Sequence, residues 1–191
     1  MADKMTVRKH YLNLRINLSP GEYEQLSVAL CTRFFSSIDL STVKTIHCYL
    51  PIVHRKEPNT WHIIDRLNKD FPNIQISLPR MENEQTIVNF YYSGKNQISE
   101  NKWGIPEPQF GDVTPVSEID LVIVPLLVFD KKGNRVGYGK GFYDRFLKNC
   151  RPDCKKIGFS FFDPLDEISD ADTHDVRLDQ VITPSRVFRF Y

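Results

Sequence analysis

A chain of 191 residues is long enough for one well-cored domain and short for two, and its 41% hydrophobic and 26% charged residues are the balance of a folded domain rather than a disordered tail. A formal charge of +1 excludes a surface built throughout for nucleic acid or anionic lipid, so any phosphate must be handled locally. No apolar run reaches bilayer length and the first ten residues lack the apolar core of a signal segment, so a cytoplasmic address with no membrane partner is expected.

In chain order, residues 4–17 mix Val7, Tyr11 and Leu14 with basic residues, which predicts a helix with one wet face. Ser19-Pro20-Gly21-Glu22 sets a capping hydroxyl, a proline at the first helical position and a glutamate at the third, predicting a second helix to about residue 36. Tyr23, Leu26, Leu30 and Phe34 would be its buried stripe. β-Branched and aromatic content predicts strands over 43–50, 74–78, 86–92, 121–128, 156–162 and 187–190. Helices are predicted over 60–69 and 141–149, and surface loops over 94–101 and 109–117. The nearly all-apolar run from Leu121 to Val128 predicts a strand covered on both faces. The expected fold class is α/β, a three-layer α/β/α arrangement with a mostly parallel or mixed central sheet, as one domain over 1–191. Cys31, Cys48, Cys150 and Cys154 are expected to be reduced, and Cys150-x-x-x-Cys154 has no second ligand pair that would make it a zinc site.

The sharpest feature is Arg135-Val136-Gly137-Tyr138-Gly139-Lys140-Gly141-Phe142-Tyr143-Asp144, between a buried strand and a helix. Glycines at 137, 139 and 141 let backbone N–H groups turn toward an anion, and Arg135 and Lys140 supply charge for a polyphosphate. Neither familiar nucleotide loop fits. A Walker A loop needs glycine where Asn134 stands and a hydroxyl residue where Gly141 stands, while a dinucleotide fingerprint needs different glycine spacing. Both cations are expected in a polar loop, where truncation should leave the fold intact.

From Gly133 to Asp144 the chain resembles the glycine-rich signature of the 5-formyltetrahydrofolate cyclo-ligases, also called methenyltetrahydrofolate synthetases. The likeness spans most of the chain through Lys4-x-x-Val7-Arg8, Glu57-x-x-Thr60, Leu78-Pro79-Arg80, the run from Trp103 to Pro108, and His174-Asp175-x-x-x-Asp179. Lys140 stands where the family often has a small residue, and Val7 where it usually has leucine. The resemblance implies ATP- and Mg2+-dependent closure of 5-formyltetrahydrofolate to 5,10-methenyltetrahydrofolate, with ADP and phosphate released, through a phosphorylated formyl oxygen. It implies ATP contacts at Lys4, Arg8, Arg135, Gly137, Gly139, Lys140, Gly141 and Tyr143, with Arg135 and Lys140 catalytic. It implies folate contacts at Ile52, Glu57, Trp103, Tyr138 and Phe142, and metal ligands at Asp144 and Asp179. Read alone, Asp144 is a first-turn helix carboxylate and Asp179 part of a solvated acidic stretch. The expected partners are small molecules, with the chain acting as a monomer or homodimer. The readings that compete are a non-catalytic nucleotide- or folate-binding sensor and another small-molecule kinase on the same cradle.

Overall fold

A computed structural model of the chain describes residues 3–83 and 86–190. Helix α1 (Lys4–Ile16) opens on Asp3, whose carboxylate accepts from the Thr6 N–H. Its buried positions are Val7 and Arg15, and Leu14 is 40% exposed, so the inner stripe runs Val7, Tyr11, Arg15 at steps of four. Helix α2 (Pro20–Ser37) starts on the reciprocal Ser19–Glu22 capping box that its sequence spells out.

There follow β1 (Thr45–His47), α3 (Trp61–Asp70), β2 (Gln75–Met81), β3 (Ile87–Tyr91), β4 (Ile98–Glu100), β5 (Pro106–Pro108) and β6 (Leu121–Pro125). The chain then forms β7 (Val128–Phe129), β8 (Arg135–Val136), α4 (Phe142–Lys148), β9 (Lys155–Phe159), β10 (Gln180–Ile182) and β11 (Val187–Arg189). Seven strands make one mixed sheet in the order β11-β10-β9-β6-β1-β2-β3. Its five inner strands run parallel and the two edge strands antiparallel.

Alternation along β6 explains the layers. Leu121 and Ile123 enter the core shared with α2 and α3, while Val122 and Val124 enter the core shared with α4, so the strand is covered on both faces. The predicted strand 121–128 divides after Pro125, which ends β6, and β7 pairs instead with β8 in a small hairpin that presents Arg135. The segment 94–101, expected as a loop, contains β4, whose ribbon with β5 frames Trp103. Strand β10 was not anticipated, because three residues of Gln-Val-Ile are too few to show a period. Among the described residues all four cysteines are free, and no helix is long and apolar enough to cross a membrane.

Candidate active site

Neighbouring parallel strands β1 and β6 lead at their carboxyl ends into the two segments that carry the candidate residues, the usual location of a ligand crevice in such a sheet. Beyond β6 lies the glycine-rich segment. Arg8 on α1 clasps it: Nε donates to the Gly137 carbonyl at 2.8 Å. A Cβ added to Gly139, whose φ is +85°, would stand 3.0 Å from the Arg8 guanidinium carbon, so backbone conformation and space both demand glycine there. Gly141, at φ +68°, is the left-handed residue from which α4 starts. Arg135 is buried, donating to Asp144 Oδ1 at 2.7 Å and to the Val176 carbonyl. Lys140 is exposed and makes no ion pair among the described residues, while its carbonyl accepts from Arg145 at 3.0 Å.

Gly141, Asp144, Arg145, Lys148, His174 and Asp175 line an open cleft of about 450 Å³. Lys4 reaches this cleft and pairs with Asp175. Burial raises the Asp175 carboxyl's proton affinity, but the Lys4 ammonium and the Asp172 N–H outweigh it and hold the group below its ordinary value. Helix α1 therefore brings Arg8 to the glycine-rich segment and Lys4 to a carboxylate of the adjoining cleft.

The two carboxylates expected as metal ligands are not brought together. Asp179 precedes β10 at the amino edge of the parallel sheet, where its carboxylate accepts from the Lys156 N–H at 2.7 Å and from Lys156 Nζ at 3.1 Å. Asp144 lies on the carboxyl side, and the carboxylate that shares its cleft is Asp175. Two carboxylates in one cleft are the kind of oxygen donor a hard divalent ion takes while keeping several waters. Tyr143 also departs from expectation. Its hydroxyl meets His47 Nε2 at 3.1 Å and its ring packs against the sheet, leaving the backbone N–H at the start of α4 as the group it can offer a phosphate.

Beyond β1 lies the second half. Glu57 is 3% exposed, and its Oε2 accepts from the Ile52 N–H at 2.7 Å. Burial pushes the Glu57 carboxyl above the usual range, opposed by Arg15, by the Tyr138 hydroxyl, and by Arg55. Tyr138 thus belongs to both halves, being part of the glycine-rich segment yet facing Glu57, with the Arg55 guanidinium 4.7 Å from its ring centroid. Trp103 is 52% exposed on the β4–β5 ribbon. It adjoins this half through Gly104, where an added Cβ would lie 4.0 Å from His54 in the turn before Glu57. Phe142, expected to contact folate, has over its ring the guanidinium of Arg145, a residue that lines the cleft. Sequence reasoning missed Asp175 and Arg15. Asp175 stands four residues before Asp179 in the run His174-Asp175-x-x-x-Asp179, and Arg15 continues the Val7–Tyr11 spacing that a count of apolar residues alone passes over.

Residues 1–184 match the model of the 5-formyltetrahydrofolate cyclo-ligase family. The chain is 28% identical over 207 residues to the "Probable 5-formyltetrahydrofolate cyclo-ligase" of Schizosaccharomyces pombe, covering 97% of this chain and 99% of that one. It is 26% identical over 176 residues to the 5-formyltetrahydrofolate cyclo-ligase of Escherichia coli (strain K12), covering 91% and 96%. The fold superposes on the solved 5,10-methenyltetrahydrofolate synthetase of Aquifex aeolicus with a TM-score of 0.81 and 27% identity, over 97% of this chain and 92% of that one.

Proposed function

Because the chain belongs to the 5-formyltetrahydrofolate cyclo-ligase family, a family of ligases in folate one-carbon chemistry, we propose that it closes 5-formyltetrahydrofolate to 5,10-methenyltetrahydrofolate at the expense of ATP. A formamide oxygen is a poor leaving group. Transfer of the γ-phosphoryl to that oxygen gives an iminium-like carbon, which a neighbouring amine of the substrate attacks as it loses its proton. The C–O bond then breaks and phosphate leaves with the electron pair. Such chemistry asks for positioned cations around the moving phosphoryl more than for a strong base.

The observation that carries this reading is the meeting of α1 with the glycine-rich segment. Arg8 holds Gly137 and overlies Gly139, while Lys4 and Asp175 close on the cleft that Asp144 lines. Lys140, exposed at the same loop, is free to turn onto the transferring phosphoryl, and Arg135 supplies buried charge behind it. Asp144 and Asp175 would hold Mg2+, which would neutralise charge on the phosphate oxygens. Glu57, buried in the segment that follows β1, offers an acceptor for the amino and ring N–H donors of a pterin, with Trp103 and Tyr138 as flat apolar walls. That acceptor favours a folate ligase over a simple kinase.

The test is incubation with 5-formyltetrahydrofolate, ATP and Mg2+ while methenyl absorbance is followed. Product should form only with nucleotide and divalent ion together. Equal product without ATP would overturn the ligase reading, and ATP consumption without methenyl absorbance would favour a kinase.

A further inference from the structure

Arg15 is among the largest fully buried side chains, at 2% exposure. A guanidinium is costly to bury unless its N–H groups are satisfied and its charge is answered. Here the fork is spent on three separate segments. Nε donates to the Arg55 carbonyl at 2.9 Å, Nη1 to the Leu126 carbonyl at 3.1 Å, and Nη2 to the Tyr138 hydroxyl oxygen. None of these acceptors is an anion. The Tyr138 oxygen that accepts from Arg15 still has its own proton to give, and it faces the Glu57 carboxylate. The order is therefore guanidinium, phenol, carboxylate, running from α1 through the glycine-rich segment to the folate half.

We propose that Arg15 is a positioning residue for the reaction: through the Tyr138 hydroxyl it fixes the Glu57 carboxylate as a charged acceptor, and so makes folate recognition depend on the seating of the phosphate-binding segment. The inference rests on the folate reading of Glu57 given above. The groups that face Glu57 from the surrounding elements are few. Arg15 comes from α1, Tyr23 from α2, Tyr49 from the end of β1, Arg55 from the turn beside it, Tyr138 from the glycine-rich segment and Tyr143 from α4. The tyrosines are held neutral by burial, so Arg15 and Arg55 are the cations that answer the carboxylate. Of these two, Arg15 is the one donating to the bridging hydroxyl.

The experiment compares wild type with Arg15→Met, Arg15→Lys and Tyr138→Phe, measuring kcat and both KM values across the acid-to-neutral range. Loss of the cation should move the acid limb of kcat/KM for folate to higher pH by about one unit, since a nearby opposite charge typically shifts a carboxylate by about that much or more. KM for folate should rise about tenfold and KM for ATP much less, as expected when one charge-assisted contact is removed from one substrate only. Arg15→Lys should restore most of the pH shift but little of the affinity, because it returns the charge without the planar fork. An acid limb that stays put in a folded Arg15→Met protein, or equal losses for both substrates, would overturn the proposal. Should Arg15→Met fail to fold by circular dichroism, Tyr138→Phe decides alone: it should move the limb in the same direction, and an unmoved limb rejects the relay. Wild type that makes no methenyl product removes the folate reading itself, whereas active wild type with unshifted variants removes only the role of Arg15.

Discussion

Lys140 and Arg135 belong to one motif but to different environments, and the same truncation should affect them differently. Both are proposed to stabilise charge that spreads over the transferring phosphoryl, so Lys140→Ala and Arg135→Ala should each lower kcat about a hundredfold, corresponding to roughly 3 kcal/mol. Lys140 is exposed, and its loss should change stability by no more than about 0.5 kcal/mol. Arg135 is buried on Asp144 and the Val176 carbonyl, so the expectation that truncation there would spare the fold does not hold. Its loss strands a partly buried carboxylate and an acceptor, at a cost on the order of 2 kcal/mol. Steady-state kinetics beside thermal melts separate the two cases, and near-normal turnover in both variants would place the chemistry elsewhere. On the folate side, Glu57→Gln removes the charged acceptor but keeps the hydrogen-bonding shape, so KM for folate should rise while ATP affinity holds. A fall in ATP affinity alone would move Glu57 out of the folate pocket.

Strand β9 shows how an element can be fixed by the absence of a side chain. A Cβ on Gly158 would stand 2.5 Å from Leu126 Cδ2, 2.7 Å from Leu178 Cδ1 and 3.1 Å from Val181 Cγ2. The flank between β6 and β10 is therefore packed to the backbone. Gly158→Ala should overpack it by about 1–3 kcal/mol and lower Tm by roughly 5 °C, with turnover retained in the folded fraction. An unchanged melt would mean that the leucines move aside freely. This constraint is invisible in the sequence, because Leu126, Leu178 and Val181 lie far from Gly158 along the chain. What was legible is local. The Ser19–Glu22 box defines the start of α2, and the apolar run of β6 announces burial on both faces, because each signal lies within a few consecutive residues. What was not legible depends on which edge of the sheet a residue reaches. Asp175 and Asp179 are four apart, yet one faces the cleft and the other closes the start of β9 on Lys156. Tyr143 and Phe142 are adjacent, and the turn of α4 sends one into the core against His47 and the other toward Arg145.

Across the whole molecule, the response to acid follows from one imidazole in the centre of the sheet. His47 on β1 is fully buried, its ring 4.7 Å from that of Phe146 and its Nε2 on the Tyr143 hydroxyl. Burial pushes its pKa from 6.5 down to about 3, only partly resisted by Asn89. Between those values the unfolded chain holds a proton that the folded chain refuses. The unfolded state then binds more protons, so stability must fall as pH drops from about 6.5 toward 3. Asp120 and Asp175 act in the same direction at lower pH. Each is raised by burial but lowered further by hydrogen bonds, from Arg151 and from Lys4 respectively, so their stabilisation is lost as they are protonated. Glu57 opposes them: with its pKa raised, it favours the fold in acid and gives up that contribution as pH rises through its folded value. From about pH 6.5 to 5 the His47 imidazole begins to take up a proton in the unfolded chain while burial keeps it neutral in the folded one, and its effect should prevail there. Denaturant unfolding over that interval should therefore show stability declining with acid in wild type by more than 1 kcal/mol per pH unit at the steepest part, about the limit for one proton. His47→Gln, which keeps a polar side chain of similar reach but takes up no proton, should be less stable at neutral pH and nearly flat across the same interval. Parallel slopes for the two proteins would assign the acid sensitivity to the carboxylates instead.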